Sequence, residues 1–289
     1  MAISPSHKFG QIIGDLLEVA IEPLLQDFAD KNSLYLDKKG KRKARRGRKV
    51  TWVDLNGNSH DLDFVLERGG TEETIGTPVA FIETAWRRYT KHSRNKAQEI
   101  QGAILPLAAK YKNNSPFIGA ILAGVFTPGA IDQLKSLGFS VLYFSYNAMI
   151  EAFDTVGIDA RFNEDTPDSE FQHKISQWES LSKEQQQSII STLLKSNAEE
   201  INKFMHTLTI MANRRIEKIR LLPLHGLVYE CDSVNDAVQY LESYNITSCD
   251  YPLTRFEIEI QYSNGDKMSN SFTDKTILIQ FLNSYLPFP

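Results

Sequence analysis

The stretches that decide the fold are Asp61-Leu62-Asp63-Phe64-Val65-Leu66-Glu67 and, beyond a loop opening with Gly69-Gly70, Val79-Ala80-Phe81-Ile82-Glu83-Thr84-Ala85. The first alternates along its length with period two, as a half-covered strand does. On that spacing Asp61, Asp63 and Val65 share one face and Leu62, Phe64 and Leu66 share the other. The second is apolar almost throughout, which a central strand covered on both faces requires. Upstream, residues 50–55 and 59–67 flank Asn56-Gly57, a strong hairpin-turn signal. The expectation is a hairpin strand bearing Asp63 beside a central strand ending in Glu83.

Outward from this pair, Ile12, Ile13, Leu16, Leu17, Ala20, Ile21, Leu24, Leu25 and Phe28 recur at helical spacing, with Glu18 and Glu22 on the other side of that helix. Downstream, Ala97, Ile100, Ile104 and Leu107 predict a helix headed by Ser93. A strand over 117–126, a helix over 129–137, a strand over 139–145 and a further helical segment follow. Strands alternating with helices predict an α/β fold, a central mixed sheet flanked by helices. After residue 162 the composition changes: 182–218 is polar, Gln-rich and helical, and a smaller pattern ends in a hairpin around Asn264-Gly265 and a short helix. We therefore expect a core over 1–162. A helical segment plus a small α/β or α+β region over 163–289 is a candidate for target recognition or dimerisation.

A chain of 289 residues, 42% hydrophobic, can bury a substantial core. Its longest apolar run, 117–126, is about half of what a membrane-spanning helix needs. The first residues do not lead from a basic segment into an apolar one, so no secretory signal is expected. Cys231 and Cys249 give neither zinc spacing nor a disulfide framework. These readings predict a cytoplasmic protein with no membrane partner. Net charge is −4, which argues against a simple nucleic-acid coat, yet nine of the twelve residues 38–49 are Lys or Arg. A Debye length of about 8 Å lets such a patch act locally.

Carboxylates on adjacent strands suit Mg²⁺, which takes one or two of them plus water and phosphate. The segment Trp86-Arg87-Arg88-Tyr89-Thr90-Lys91-His92-Ser93-Arg94-Asn95-Lys96 follows at once. Its Arg87, Arg88, Lys91 and Arg94, with Arg42, Lys43, Arg45 and Arg46 of the basic loop, are candidate contacts to an anionic backbone. Together these features point to metal-dependent phosphodiester cleavage. His60 and His92 have no partner at ligand spacing and read as surface residues.

The order helix with Glu, hairpin strand with Asp, strand ending in Glu, helix, strand, helix, strand resembles the core of the PD-(D/E)XK nuclease superfamily, over residues 8–150. The signature is sparse, so the order of elements carries the likeness. The resemblance implies a restriction endonuclease-like core in which Asp63 and Glu83 are catalytic metal ligands. Glu18, with Glu22 as competitor, and Asp61 become further ligands. It also implies Mg²⁺ as cofactor, with Mn²⁺ able to substitute, and double-stranded DNA as substrate. A type II restriction endonuclease would act as a homodimer beside a cognate DNA methyltransferase. The departure is Ala85, where the family has a lysine two residues after the glutamate. Lys96 is the first choice for the missing amine, then Arg87 and Lys91; an arginine stabilises an anion but is a poor proton acceptor. Ala85 equally fits a catalytically inactive DNA-binding homologue of a defence or transposition complex. A third reading is an unrelated α/β interaction module whose basic loop binds RNA or another acidic partner.

Overall fold

The computed structural model describes residues 4–89, 93–224, 226–246 and 252–285. The chain divides into two units, Met1–Ala212 and Asn213–Pro289. In order, the first contains α1 (Pro5–Lys31), β1 (Leu34–Lys38), β2 (Val50–Val53), β3 (Ser59–Leu62), β4 (Phe64–Arg68), β5 (Thr77–Arg87), α2 (Ser93–Lys110) and β6 (Phe117–Gly124). It continues with α3 (Pro128–Ser136), β7 (Ser140–Ser145), α4 (Tyr146–Asp154), α5 (Asp168–Glu179), α6 (Lys183–Ser196) and α7 (Ala198–Ala212).

Its five-stranded sheet runs β1-β4-β5-β6-β7, antiparallel from β1 to β5 and parallel from β5 to β7. The fold is α/β with a mixed central sheet, as the alternating periodicities predict. Alternation along the strands sends Phe64, Leu66, Ile82 and Ile121 to one face, where they meet Phe9, Ile13 and Leu17 of α1. Val65, Phe81 and Leu122 go to the other and meet Ile100, Ile104 and Leu107 of α2. Trp52 of the separate β2–β3 ribbon packs on that second face, edge-on to Phe81 at 5.6 Å between ring centroids.

Helices α5 to α7 belong to the first unit, so the expected boundary at 162 lies too early; the chain divides after Ala212. Their polar composition describes only the outer faces. Ile189, Leu193, Phe204 and Leu208 form buried stripes that extend the layer begun by α1. The second unit is α+β. Its strands β8 (Ile216–Pro223), β9 (Tyr229–Cys231), β10 (Phe256–Tyr262) and β11 (Lys267–Phe272) form an antiparallel sheet ordered β11-β10-β8-β9. Helices α8 (Val234–Ser243) and α9 (Lys275–Asn283) cover it through Leu241, Leu278 and Leu282. Cys231 is buried as a free thiol, and Cys249 lies outside the described residues. Among the described residues no helix is long and apolar enough to cross a membrane.

The basic loop is folded onto the sheet by two of its own cations. Asp37 on β1 and Glu67 on β4 stand on neighbouring antiparallel strands and are almost fully buried. Arg42 enters between them, its Nη1 2.6 Å from Glu67 and 2.9 Å from Asp37, and donates also to the Thr71 and Thr74 carbonyls. Burial opposes the charge on Arg42, but hydrogen bonding to Glu67 and the fields of Glu67 and Asp37 hold its pKa above the ordinary range. Arg45 binds Asp37 and the Lys38 carbonyl. Glu67 also accepts from Gly76 N–H at 2.7 Å; a side chain at Gly70 would strike this carboxylate. Arg42 and Arg45 are thus internal counter-ions, and their expected role as DNA contacts is corrected. Removing the cation strands two buried carboxylates, so Arg42→Ala is expected to cost about 3–5 kcal/mol. Exposed Arg46→Ala should stay within about 0.5 kcal/mol. Urea denaturation of the two variants checks the contrast.

Candidate active site

The site begins where the chain changes sheets. Strand β3 pairs with β2 and strand β4 with β1 and β5; Asp63 lies at the switch between them. Leu62 packs with Trp52 in the α2-side core, whereas Phe64 packs in the α1-side core. An unbroken strand would put residues 62 and 64 on one face, so the alternation slips at Asp63. This overturns the expected pairing of Asp61 with Asp63. Asp61 is half exposed, accepts from Lys49 Nζ at 2.7 Å and Thr51 Oγ1 at 2.6 Å, and does not line the cleft.

Asp63 is fixed by β5. Because Phe64 pairs with Ile82, the next position sets Asp63 against Glu83. Its Oδ2 accepts from Thr84 N–H at 2.7 Å and from Thr84 Oγ1 at 2.8 Å, so a side chain replaces the missing rung of the ladder. Glu83 is 8% exposed and hydrogen-bonded to Asp63. Burial, then the charge of Asp63, pushes its pKa up to about 9, against the opposing charge of Lys96. Glu18 of α1 completes the group: burial first, then Asp63, raises it to about 7, with Lys39 opposing. Glu22, its competitor, instead holds Lys38 at 2.5 Å.

Glu18, Asp63, Glu83, Ala85, Arg87 and Lys96 line one open cleft of about 750 Å³. Ala85 is buried on the face it shares with Phe81, and its methyl group borders the cleft where a longer side chain would project. Lys96, in the first turn of α2, approaches Glu99 Oε2 at 3.6 Å, and Arg87 donates to that oxygen at 3.3 Å. Arg88 lines the same cleft, donates to the Asn163 carbonyl at 2.6 Å and lies over the rings of Tyr89, Phe162 and Phe171. Lys43 is exposed and paired with Glu73; Arg46 and Arg94 are exposed, and Lys91 lies outside the described residues. Periodicity and charge did not single out Thr84, Glu99 or Lys39. Glu99 was legible as a charge three residues beyond Lys96 on a helix; Thr84 gave no signal, since its role depends on the strand switch.

Among the described residues, no three His, Cys, Asp or Glu side chains are gathered closely enough to form a ready-made metal cage. The Asp63–Glu83 pair nonetheless fits Mg²⁺, which needs only one or two protein carboxylates. Like charges that keep a buried acid protonated are the condition that a divalent ion relieves, by releasing the proton. No family model matches the chain, and no curated protein matches it. A solved crystal structure described as a protein of unknown function, AF1548, aligns with 12% identity and a TM-score of 0.29, over 66% of this chain and 99% of its own.

The pKa shifts make stability pH-dependent. Glu83 rises from an ordinary value near 4.5 to about 9, so between these pH values the folded chain keeps a proton that the unfolded chain has lost. The contribution is fully present below pH 4.5 and is lost as pH rises through about 9. Metal-free protein is therefore expected to lose stability from pH 5 to pH 9, with Glu18 adding to the fall up to about 7. Glu83→Gln should flatten most of this decline in urea titrations in EDTA; an unchanged slope would contradict the buried-acid assignment.

Proposed function

We propose that the chain is a Mg²⁺-dependent DNA endonuclease of the PD-(D/E)XK kind, acting as a type II restriction enzyme. The observation that carries this reading is the meeting of Glu18, Asp63 and Glu83 in one cleft beside Lys96. Asp63 and Glu83 would hold the ion, with Glu18 beside them; Mn²⁺ would serve similarly. The bound ion would lower the pKa of its water and polarise the phosphate. Thr84 keeps one oxygen of Asp63 engaged and so fixes the direction of the other. Lys96, whose charge is already felt at Glu83, steadies the anionic phosphate and the attacking water from the helix rather than from position 85.

Lys39, Lys41, Arg46 and Arg48, exposed on the Arg42-anchored loop, replace Arg42 and Arg45 as the candidate backbone contacts. Lys39 is near enough to act on Glu18, so this loop borders the acids. The second unit is proposed for target recognition or dimerisation, since a two-fold dimer would bring one site to each strand. A restriction role would require a cognate DNA methyltransferase. Ala85 supports a second reading, in which the chain binds DNA without cutting it.

Incubation with mixed-sequence duplex DNA and Mg²⁺ or Mn²⁺, followed by sequencing of the ends, separates the two readings. Cleavage is expected to disappear in EDTA and in Asp63→Ala and Glu83→Ala, with binding retained. Lys96→Ala should also abolish it, and Ala85→Lys should partly restore that variant, because position 85 shares the face of Glu83. An inert parent that cuts after Ala85→Lys identifies the non-cleaving homologue. Asp63→Ala cleaving like its parent would refute the site.

Neutralising Lys39, Lys41, Arg46 and Arg48 together is expected to weaken binding to all sequences alike. The slope of log affinity against log salt should fall by about 0.9 for each phosphate that the loop no longer neutralises. An unchanged slope places the DNA path elsewhere.

A further inference from the structure

Arg87 and Lys96 come from different elements, the end of β5 and the first turn of α2, yet both address one atom. Arg87 Nη2 lies 3.3 Å and Lys96 Nζ 3.6 Å from Oε2 of Glu99. The two cations are largely covered, with side chains 30% and 20% exposed, whereas Glu99 is 60% exposed. Arg87 is further held by its own bond to the Trp86 carbonyl at 2.9 Å. All three residues line the cleft that contains Glu83 and Asp63. A pair of cations thus converges on a single oxygen, supplied by the most exposed member of the group.

We propose that Glu99 is a displaceable stand-in for phosphate: its carboxylate occupies the oxyanion position made by Arg87 and Lys96, and a phosphate of the nucleic-acid backbone enters by displacing it. The nuclease reading supplies only the identity of the ligand as a backbone phosphate. Anions of like charge cannot share two cations at this distance without repulsion, so Glu99 and the phosphate compete. Its bonds to Arg87 and Lys96 are made by a carboxylate 60% exposed, and such a contact is weak enough to yield to a doubly anchored phosphate. In the ligand-free protein the carboxylate also balances cations that would otherwise repel each other at the cleft wall.

The test measures binding of a fluorescent mixed-sequence DNA duplex to the full chain in EDTA, with inorganic phosphate as competitor. Glu99→Gln keeps the shape and removes the charge; it is expected to bind the duplex about threefold tighter, the size of one exposed ion pair, and to be competed by less phosphate. In a Lys96→Met background the same change should give little gain. Asp15→Asn, which removes a carboxylate from the same cleft, measures the general effect of charge and should give a smaller gain. Unchanged or weaker binding by Glu99→Gln overturns the proposal, as does an equal gain from Asp15→Asn. Normal Mg²⁺-dependent cleavage with no tighter binding overturns displacement and leaves the nuclease reading standing. Tighter binding without cleavage in Mg²⁺ or Mn²⁺ does the reverse. Absence of any duplex or phosphate binding overturns both.

Discussion

The site depends on the switch of the chain at Asp63. A strand that leaves one sheet for another must give up backbone partners at the crossing, and an unpaired N–H on the neighbouring strand is costly once water is excluded. Here the Asp63 carboxylate takes the Thr84 N–H and hydroxyl together. The same two bonds that close the ladder set Asp63 beside Glu83 and fix one of its oxygens. Local backbone satisfaction and the geometry of the acidic pair are therefore a single constraint. Thr84 serves both by lying between the residues whose side chains enter the cleft.

The two acid clusters near the ends of β4 show how a counter-ion decides what such a cluster can do. Asp37 and Glu67 enclose Arg42 and are satisfied by it, with the Thr71 and Thr74 carbonyls taking its remaining donors. Nothing further is needed there, and the cluster anchors a loop. Among the described residues, no guanidinium forms an ion pair with Glu18, Asp63 or Glu83. Lys39 and Lys96 act only from the margins, and repulsion is relieved instead by keeping Glu83 protonated. Two sets of carboxylates, one on β1 and β4 and one shared by α1, β5 and the residue ahead of β4, thus divide into a structural knot and a site with a deficit of positive charge, open to the cleft.

Most of the layer order was legible because it rests on periodicity: the stripe on α1, the apolar β5 and the alternating strands and helices that follow all formed where the spacing put them. Asp63, Glu83, Glu18 and Lys96, named from the sequence, do line one cleft. The failures share a cause. Period two continued through Asp63, where a sheet switch interrupts it, places Asp61 in the site. Charge alone implies exposure throughout residues 38–49 and groups Arg42 with Arg46, although the two buried partners of Arg42 lie on β1 and β4. Strand β1 (Leu34–Lys38), which leads into that stretch, has no counterpart in the sequence reading. Polar composition was read as a boundary at 162, although an amphipathic helix can be polar overall and still bury a continuous stripe. Each error concerns a long-range partner that no local window contains.

Ala85 is consistent with this arrangement. A lysine at that position would project from the face of Glu83 and Phe81, where the wall is now a methyl group packed against the α2-side core. The first turn of α2 brings Lys96 close enough for its charge to oppose the upward shift of Glu83. The helix-borne amine differs from a strand-borne one in a physical respect. It stands three residues from a carboxylate of its own helix, so its charge is balanced before any ligand arrives. A lysine on the strand would give the cleft a positive wall with no carboxylate of its own, whereas here Lys96 and Arg87 share the carboxylate of Glu99.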